Sequence, residues 1–337
     1  MISVLFGLLS PTGVSLAGSS APKISQNSAR FRSKNFVEHK FGALQGKNAV
    51  NPNGFTSILT KQRGKFVLPK SGSDNTSLLN KRGIVMQYHI HLSQEHGARY
   101  AIIPGDPGRV DKIAAFLENP THIGCNREYN SYLGYLEGER VLVVSTGIGG
   151  PSCAICVEEL AKIGVDTFIR VGTCGGMQPD IAPGDVVIAT GAIRMDGTSK
   201  EYMPIEFPAV ADFQITSALY NAAEKLGYSN HVGVVQAKDS FYGQHSPESM
   251  PNSAELINKW DAWKRGGCLA SEMESATLFI VSAARRLRSG AVFHCVWNQE
   301  IAKTAMPKDR NEDTSAAIKT AVEALRAIIK QDKLKKQ

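Results

Sequence analysis

The alternation of apolar strands and amphipathic helices predicts one α/β domain with a mixed central sheet. From residue 99 to residue 329, short apolar runs typical of buried strands alternate with longer helical patterns. No internal repeat or low-complexity block interrupts this alternation. Apolar residues make up 42% of the 337 residues and charged residues 20%, a balance typical of globular proteins, and no apolar run is long enough to predict a spanning helix.

Turn and helix-end residues separate the predicted elements. Pro151 precedes the second helical pattern, Gly227 follows the third, and Gly266 follows the fourth. Each predicted strand is a short apolar run, and each predicted helix repeats apolar residues every three or four positions. The predicted strands cover 99–103, 141–145, 167–171, 185–190, 231–237 and 291–297. The predicted helices cover 110–117, 152–163, 214–226, 253–264, 274–286 and 314–329.

Basic residues are concentrated in the first part of the chain. Residues 1–82 hold 12 Lys and Arg against Glu38 and Asp74, a net charge of +10, and the remaining 26 basic and 29 acidic residues give −3. The folded part is therefore not basic. This argues against a nucleic-acid partner despite the overall net charge of +7.

Composition divides the chain into three regions. We expect a disordered basic leader at 1–82, a folded domain at 83–329 and a Lys-rich tail at 330–337. The leader is rich in Ser, Asn and Gly, and it is similar to an organelle transit peptide. An untargeted extension is one alternative, and a start at Met86 is another. The expected location is the cytoplasm, or a plastid or mitochondrion if the leader is a transit peptide, with no membrane partner.

Six cysteines are scattered through apolar or glycine-rich sequence, as expected of reduced thiols in an intracellular protein. Cys153 and Cys156 form a C-x-x-C pair, for which a thioredoxin-like redox site is one interpretation. The favoured interpretation is two small side chains packed on one helix face, because no second pair completes a zinc ligand set.

Two glycine-rich strand ends carry arginine, which is typical of an anion site. The strand at 167–171 contains Arg170 and leads into residues 172–176 (GTCGG), which we expect to form a turn with exposed backbone N–H groups. The strand at 99–103 leads into residues 104–109 (PGDPGR) and the start of a helix. Two guanidinium groups, a hydroxyl and main-chain donors suit one phosphate. The alternative is an ordinary turn whose arginine pairs with a carboxylate.

A third strand end predicts a site for a diol. Glu272 and Glu274 flank Met273 where a helix is expected to begin. A carboxylate such as Glu274 can accept hydrogen bonds from ribose hydroxyl groups. The alternative is a carboxylate that is merely favoured by the positive helix N-terminus. Because ligands in open α/β sheets gather at strand ends, the three features are expected to form one site.

Six short motifs follow one another in a specific order: 104–109 (PGDPGR), 126–128 (NRE), 145–152 (STGIGGPS), 170–173 (RVGT), 206–213 (EFPAVADF) and 272–275 (EMES). Together they resemble the type I nucleoside phosphorylase family, and the similarity runs from about His89 to the C-terminus. The resemblance implies a single three-layer α/β domain with a mixed, barrel-like sheet, assembled as homodimers or as hexamers of three dimers.

The same resemblance implies a reaction. Nucleoside and inorganic phosphate as co-substrate would give ribose 1-phosphate and free base in nucleoside salvage or catabolism, with no cofactor required. The similarity is strongest to members that act on uridine, so a pyrimidine nucleoside is the expected substrate.

The resemblance also implies roles for individual residues, of which Arg127 and His89 would act across a subunit interface. The reaction would depend on Arg170, Glu274 and Gln244. Phosphate would be bound by Gly105, Arg109, Arg127, Arg170 and Thr173. Ribose would be bound by His89, Glu272, Met273 and Glu274, and the base by Phe241, Gln244 and Val296. A monovalent cation such as K⁺ would be held between subunits by Glu128, Ile148 and Ser152.

The base site departs from the family pattern. Ser246 stands where relatives carry the arginine of a Gln-x-Arg triplet that begins here at Gln244. Gln299 follows Asn298 where relatives carry another arginine, and Trp297 replaces a small aliphatic residue. The phosphate and ribose motifs are intact, so discrimination among pyrimidines is the property expected to be weakened.

Three other functions remain open on the sequence. A purine nucleoside phosphorylase generally uses an aspartic acid near the later strand, where this chain has Asn298. A nucleoside hydrolase of the same fold would not need Arg109 and Arg170 together. A non-catalytic nucleoside-binding or storage relative would not need both arginines and Glu274, so all three alternatives are disfavoured.

Overall fold

The computed structural model describes residues 77–79, 85–304 and 310–335. No helix among them is long and apolar enough to cross a membrane. The strands are β1 Ser77–Leu79, β2 Val85–Gln87, β3 Tyr100–Pro104, β4 Glu118–Asn126, β5 Tyr129–Leu136, β6 Glu139–Val144, β7 Thr167–Gly176, β8 Val186–Met195, β9 Ala209–Val210, β10 Asn230–Lys238, β11 Ala270–Glu272 and β12 Arg288–Asn298. The helices are α1 Val110–Ala114, α2 Gly150–Lys162, α3 Thr198–Tyr202, α4 Phe213–Leu226, α5 Phe241–His245, α6 Ser253–Arg265, α7 Ser275–Arg285, α8 Gln299–Thr304 and α9 Ser315–Leu334.

The strands β3 to β12 form one mixed sheet that closes on itself. Its order is β11-β10-β8-β12-β7-β3-β6-β5-β4, with β9 paired to β8. β11 also pairs with β7, through Ala270 beside Gly176 and Ser271 beside Gly175, so that five strands make a closed ring. β6, β3, β7 and β12 are parallel neighbours, whereas β8 is antiparallel to β12. The predicted α/β fold with a mixed, barrel-like sheet is confirmed.

Helices cover the sheet on both faces. On β3, Ala101 and Ile103 pack into an apolar layer with α2 and α7, whereas Tyr100 and Ile102 pack into a second layer with α1, α4 and α9. This alternation follows from the two-residue period of a strand. β3 is therefore apolar on both faces, which explains why it appears in the sequence as an uninterrupted apolar run.

Local capping fixes the ends of the helices as the sequence indicates. Asp212 accepts hydrogen bonds from the backbone N–H groups of Gln214 and Ile215 at the start of α4. Gly227 ends α4 in the left-handed conformation, with φ of 73°. Every predicted strand and helix is present, with ends shifted by no more than five residues.

The expected glycine-rich turn at residues 172–176 is wrong, because β7 continues through it to Gly176. This extension pairs with β12 on one side and with β11 on the other. Gly172 is required by packing, since a Cβ there would lie 2.5 Å from the ring of Phe293. The sequence signal for a turn was instead a signal for close packing within a strand.

Two regions differ from the expected segmentation. The hairpin of β4 and β5 has no apolar run in its first strand, because most of β4 is exposed. At the C-terminus, α9 extends to Leu334 into the expected tail, and its buried Asp332 accepts hydrogen bonds from Tyr100 and Arg288. The leader at 1–82 lies outside the described residues apart from β1, which pairs antiparallel with β2, and its boundary stays a prediction.

Candidate active site

Strand pairing brings the predicted strand ends to one edge of the sheet. β3 and β7 are parallel, with Pro104 beside Val171, and β12 lies parallel to β7 on its other side. β11 runs antiparallel to the end of β7, so the segment after β11 returns to the same edge. The residues collected there are Gly105, Arg109, Arg170, Thr173, Glu272 and Glu274.

Arg170 is the buried centre of this cluster. Its Nη2 donates to Glu274, and its Nε lies 3.4 Å from Oε2 of Glu272. Burial alone would lower the pKa of Arg170, but the two carboxylates raise it above its ordinary value. Its Nη1 is buried with no hydrogen-bond acceptor among the described residues, and it faces Gly105, where a Cβ would lie 3.7 Å away.

The two glutamates at the start of α7 have different environments. Glu272 accepts hydrogen bonds from the backbone N–H groups of Glu274 and Ser275, both at 2.9 Å. It is therefore the carboxylate that caps the helix, and burial raises its pKa although Arg170 opposes the shift. Glu274 instead accepts a hydrogen bond of 2.5 Å from the backbone N–H of Gly149 and one from Arg170.

Gly149 holds Glu274 from a loop distant in sequence. Its φ of 91° belongs to the left-handed region that glycine tolerates, and it precedes α2. One oxygen of Glu274 contacts this loop and the other contacts Arg170, so the carboxylate orientation is fixed from two sides. Sequence reasoning identified the loop as a motif but did not identify this contact.

Arg109 and Thr173 line a cavity of about 330 Å³. Arg109 is buried and donates from Nη1 to the carbonyl of Val171 at 3.1 Å. Burial lowers its pKa, Asp106 partly offsets this, and the charge of Arg170 lowers it further. Val296, which was expected at the base, instead lines this cavity together with Arg109 and Thr173, two residues predicted to bind phosphate.

A second cavity, of about 470 Å³, contains Gln244 and Trp297. Gln244 accepts a hydrogen bond of 2.6 Å from the hydroxyl of Ser271, and its amide nitrogen lies 3.3 Å from Oε1 of Gln299. Phe241 does not line this cavity; it is half exposed, and its ring centre is 4.3 Å from that of His245.

Lys238 also lines this cavity, and sequence reasoning missed it. The only signal in the sequence is a lysine at the end of an apolar run, a place where a solvent-exposed lysine is ordinary. The structure instead buries it at the end of β10, with Nζ 2.5 Å from the hydroxyl of Ser271.

A family model described as the phosphorylase superfamily matches residues 99–331. The chain belongs to this superfamily. Uridine phosphorylase of Treponema pallidum is 55% identical over 246 residues, which cover 73% of this chain and 95% of that protein. Uridine phosphorylase of Haemophilus influenzae is 45% identical over 249 residues, which cover 71% of this chain and 98% of that protein. Guanosine phosphorylase of Halorubrum lacusprofundi is 39% identical over 247 residues, which cover 71% of this chain and 98% of that protein.

Membership of the phosphorylase superfamily confirms the resemblance that the six motifs carry. It also confirms that the chain is an enzyme of the pentosyltransferase type, which transfers a ribosyl group. Nucleoside phosphorylases take phosphate as co-substrate and need no cofactor.

Two residues expected at the phosphorylase site lie away from this cluster within one chain. His89 is held by Glu159, whose Oε1 is 2.7 Å from Nδ1 of the imidazole and whose oxygens also accept the backbone N–H groups of His89 and Ile90. Arg127 is exposed at the turn between β4 and β5, with φ of 55°, and makes no hydrogen bond or ion pair with the described part of the chain.

The three residues expected to hold a cation lie at the entrance to α2. Oγ of Ser152 is 2.5 Å from Oε1 of Glu128 and also contacts the carbonyl of Thr146, so three oxygen atoms converge. Ile148 is exposed beside them. This donor set fits a hard monovalent cation, which prefers oxygen ligands.

None of the six cysteines forms a disulfide within the described residues. All six are free, and Cys153 and Cys156 are buried in α2. Burial raises the pKa of Cys153 to about 12, which suppresses the reactive thiolate. No group of three His, Cys, Asp or Glu among the described residues could hold a metal ion.

Proposed function

We propose that this chain catalyses the reversible phosphorolysis of uridine to uracil and ribose 1-phosphate. The observation that carries the proposal is the buried Nη1 of Arg170, which faces Gly105 and has no acceptor among the described residues. An unsatisfied buried donor costs about 1–3 kcal/mol, and more when it is charged. A phosphate oxygen would satisfy it and would lie next to Glu274, the residue that we propose binds ribose.

The proposed mechanism depends on positioning and electrostatics. Phosphate attacks C1′ of the ribose while the bond to the base breaks. Arg109 and Arg170 orient the phosphate and offset its charge, so that attack is effectively intramolecular. Glu274, as a carboxylate hydrogen-bonded to the 2′-hydroxyl, stabilises the positive charge that develops on the sugar. The base leaves as an anion, and the amide of Gln244 donates a hydrogen bond to it.

The surroundings of Asn298 support a pyrimidine over a purine. Its amide nitrogen donates to the carbonyls of Gln178 and Ile181, and its oxygen accepts from the backbone N–H of Glu300. The amide is fully engaged and cannot ionise, so it cannot act as the acid that a departing purine needs. The similarity to a guanosine phosphorylase makes a purine nucleoside the second candidate.

We infer that the working unit is a homo-oligomer, a dimer or a hexamer of three dimers. Arg127 is exposed and has no partner in the described part of its own chain, which suits a phosphate in a neighbouring subunit. Glu159 fixes the Nδ1 side of His89, which leaves Nε2 available for a 5′-hydroxyl across the same interface.

We propose that Glu128, Ser152 and the backbone at Ile148 hold K⁺ where two subunits meet. The cation would offset the charge of two facing carboxylates and would take no part in the chemical step. Oligomer stability that stays unchanged when K⁺ is exchanged for a large organic cation would contradict this role.

Uridine is expected to be the best substrate when nucleosides are compared at saturating phosphate. Its kcat/KM should exceed those of inosine, guanosine and adenosine by roughly 10²-fold, because a mispaired buried polar edge costs about 1–3 kcal/mol. Thymidine lacks the 2′-hydroxyl that Glu274 is proposed to bind, so its kcat/KM should lie below that of uridine. A higher kcat/KM for a purine nucleoside than for uridine would contradict this assignment and favour the second candidate.

We propose that residues 1–82 direct the enzyme to an organelle, on the basis of their net charge of +10. A fluorescent reporter fused after residue 82 should accumulate in plastids or mitochondria of a plant or animal cell. The matched control replaces the twelve basic residues of the segment with glutamine and should stay diffuse. A diffuse signal from the unaltered segment in both kinds of cell would contradict targeting.

A further inference from the structure

Lys238 is a buried cation in the wall of the cavity that contains Gln244. It ends β10 and is only 4% exposed. Its Nζ contacts the hydroxyl of Ser271 at 2.5 Å and the carbonyl of Glu272 at 3.5 Å. An ammonium has three N–H donors, so one remains without an acceptor in the part of the chain that the structure describes.

The burial of this lysine is costly for the free protein. No carboxylate of the described residues lies within ion-pair distance of its Nζ, and an unpaired buried charge is unfavourable. Burial lowers the pKa of Lys238 to about 8, although the charges of Glu272 and Glu274 raise it. A buried, perturbed cation in a cavity is a common feature of functional sites.

One hydroxyl connects Lys238 to the predicted base-binding amide. The Oγ of Ser271 lies 2.6 Å from Oε1 of Gln244 and 2.6 Å from Oε1 of Gln236, in addition to its contact with Lys238. The lysine is therefore one hydroxyl away from Gln244. Of the residues predicted to contact the base, Gln244 lines this cavity, and its uncharged amide stabilises an anion less well than a cation does.

We propose that Lys238 contacts the base and donates a hydrogen bond to a carbonyl oxygen of the leaving pyrimidine. When the glycosidic bond breaks, its electron pair passes to the base, and negative charge spreads onto the ring carbonyl oxygens. The ammonium stabilises that charge more in the transition state than in bound uridine, and so raises the rate. The inference rests on the proposed uridine phosphorolysis. It identifies Lys238 as the cation that stabilises the leaving base in that reaction.

The test compares Lys238→Met and Lys238→Arg with the wild-type enzyme on uridine and on 5-fluorouridine, whose base is a better leaving group. Lys238→Met should lower kcat/KM for uridine by about 10²–10³-fold, the usual effect of removing one preorganised donor. The loss should be smaller for 5-fluorouridine, because its base needs less stabilisation. Lys238→Arg should recover part of the activity. Lys319→Met, an exposed lysine on α9, is the matched control and should leave both rates unchanged.

Each outcome separates this inference from the proposed function. Wild-type enzyme that releases no uracil from uridine would contradict the proposed function. Active wild-type enzyme with equal losses on both substrates in Lys238→Met would instead assign Lys238 a structural role, and no loss would exclude contact with the base. Methionine removes a buried charge without removing volume, so the variant should fold, and its urea unfolding midpoint is measured alongside.

A pH profile gives a second readout for Lys238. Because kcat/KM reports ionisations of the free enzyme, the wild-type value should fall as the pH rises through about 8 and the ammonium loses its proton. Lys238→Arg should keep its activity to higher pH, since a guanidinium stays charged. Identical profiles for the two would contradict a charged role. The other titratable groups that face Lys238 or share its cavity are Cys174, Asp239, His245, Glu248, Glu272 and Glu274.

Discussion

Arg170→Ala is expected to lower kcat/KM for phosphorolysis of uridine by about 10²–10³-fold, by analogy with the loss of one charge-stabilising donor. The variant removes the buried guanidinium whose Nη1 has no acceptor in the described part of the chain, and with it the group proposed to bind phosphate. It also removes the cation that holds Glu274. Initial rates measured across phosphate concentrations should therefore show loss of both phosphate affinity and turnover.

A second variant, Thr173→Val, tests the phosphate assignment even if Arg170→Ala folds poorly. Removing Arg170 leaves Glu272 and Glu274 buried without their cation, which destabilises by about 3–5 kcal/mol for a broken buried pair. Thr173→Val leaves these ion pairs intact and should raise the KM for phosphate with little change in unfolding midpoint. Phosphate dependence equal to that of the wild type in both variants would contradict the phosphate assignment.

Arg127→Ala is expected to reduce phosphorolysis as severely as Arg170→Ala, although Arg127 lies outside the cluster in its own chain. The reason is that its guanidinium would contact the phosphate of a neighbouring subunit. Because Arg127 is exposed and unpartnered in the described part of its own chain, the variant should unfold at the wild-type urea concentration. The exposed Arg265→Ala, on the surface of α6, is the matched control and should retain full activity.

Mixing the two variants tests the shared site directly. In a mixed oligomer of Arg127→Ala and Arg170→Ala subunits, some sites combine an intact Arg170 from one chain with an intact Arg127 from the other. Activity should rise above that of either variant alone after the subunits are exchanged. A mixed oligomer, verified by mass, that shows no recovery would speak against a site shared between subunits.

The central sheet could be predicted because its strands are buried on both faces. β3 and residues 141–144 of β6 are uninterrupted apolar runs, so burial and sequence pattern agree there. The β4–β5 hairpin could not be predicted, because β4 is largely exposed and carries no alternating pattern. The turn expected after Arg170 shows a further limit, since glycine also permits close packing inside a strand.

The position of a candidate site residue could be predicted where that residue stands in a short motif at a strand end. Arg109, Arg170 and Glu274 each stand in a motif at a strand end, and strand pairing brings those ends together. Contacts between distant segments left no such signal. The hydrogen bond from Gly149 to Glu274 and the contact of Lys238 with Ser271 depend on how the barrel closes, which no local pattern encodes.

Identification of the sugar product tests the central claim most directly. Purified enzyme is incubated with uridine and inorganic phosphate, and the products are followed by phosphorus NMR and by chromatography of the base. We predict one ribose 1-phosphate for each uracil released, no uracil without phosphate, and re-formation of uridine from the two products. Release of free ribose at a rate independent of phosphate would contradict phosphorolysis and indicate a hydrolase.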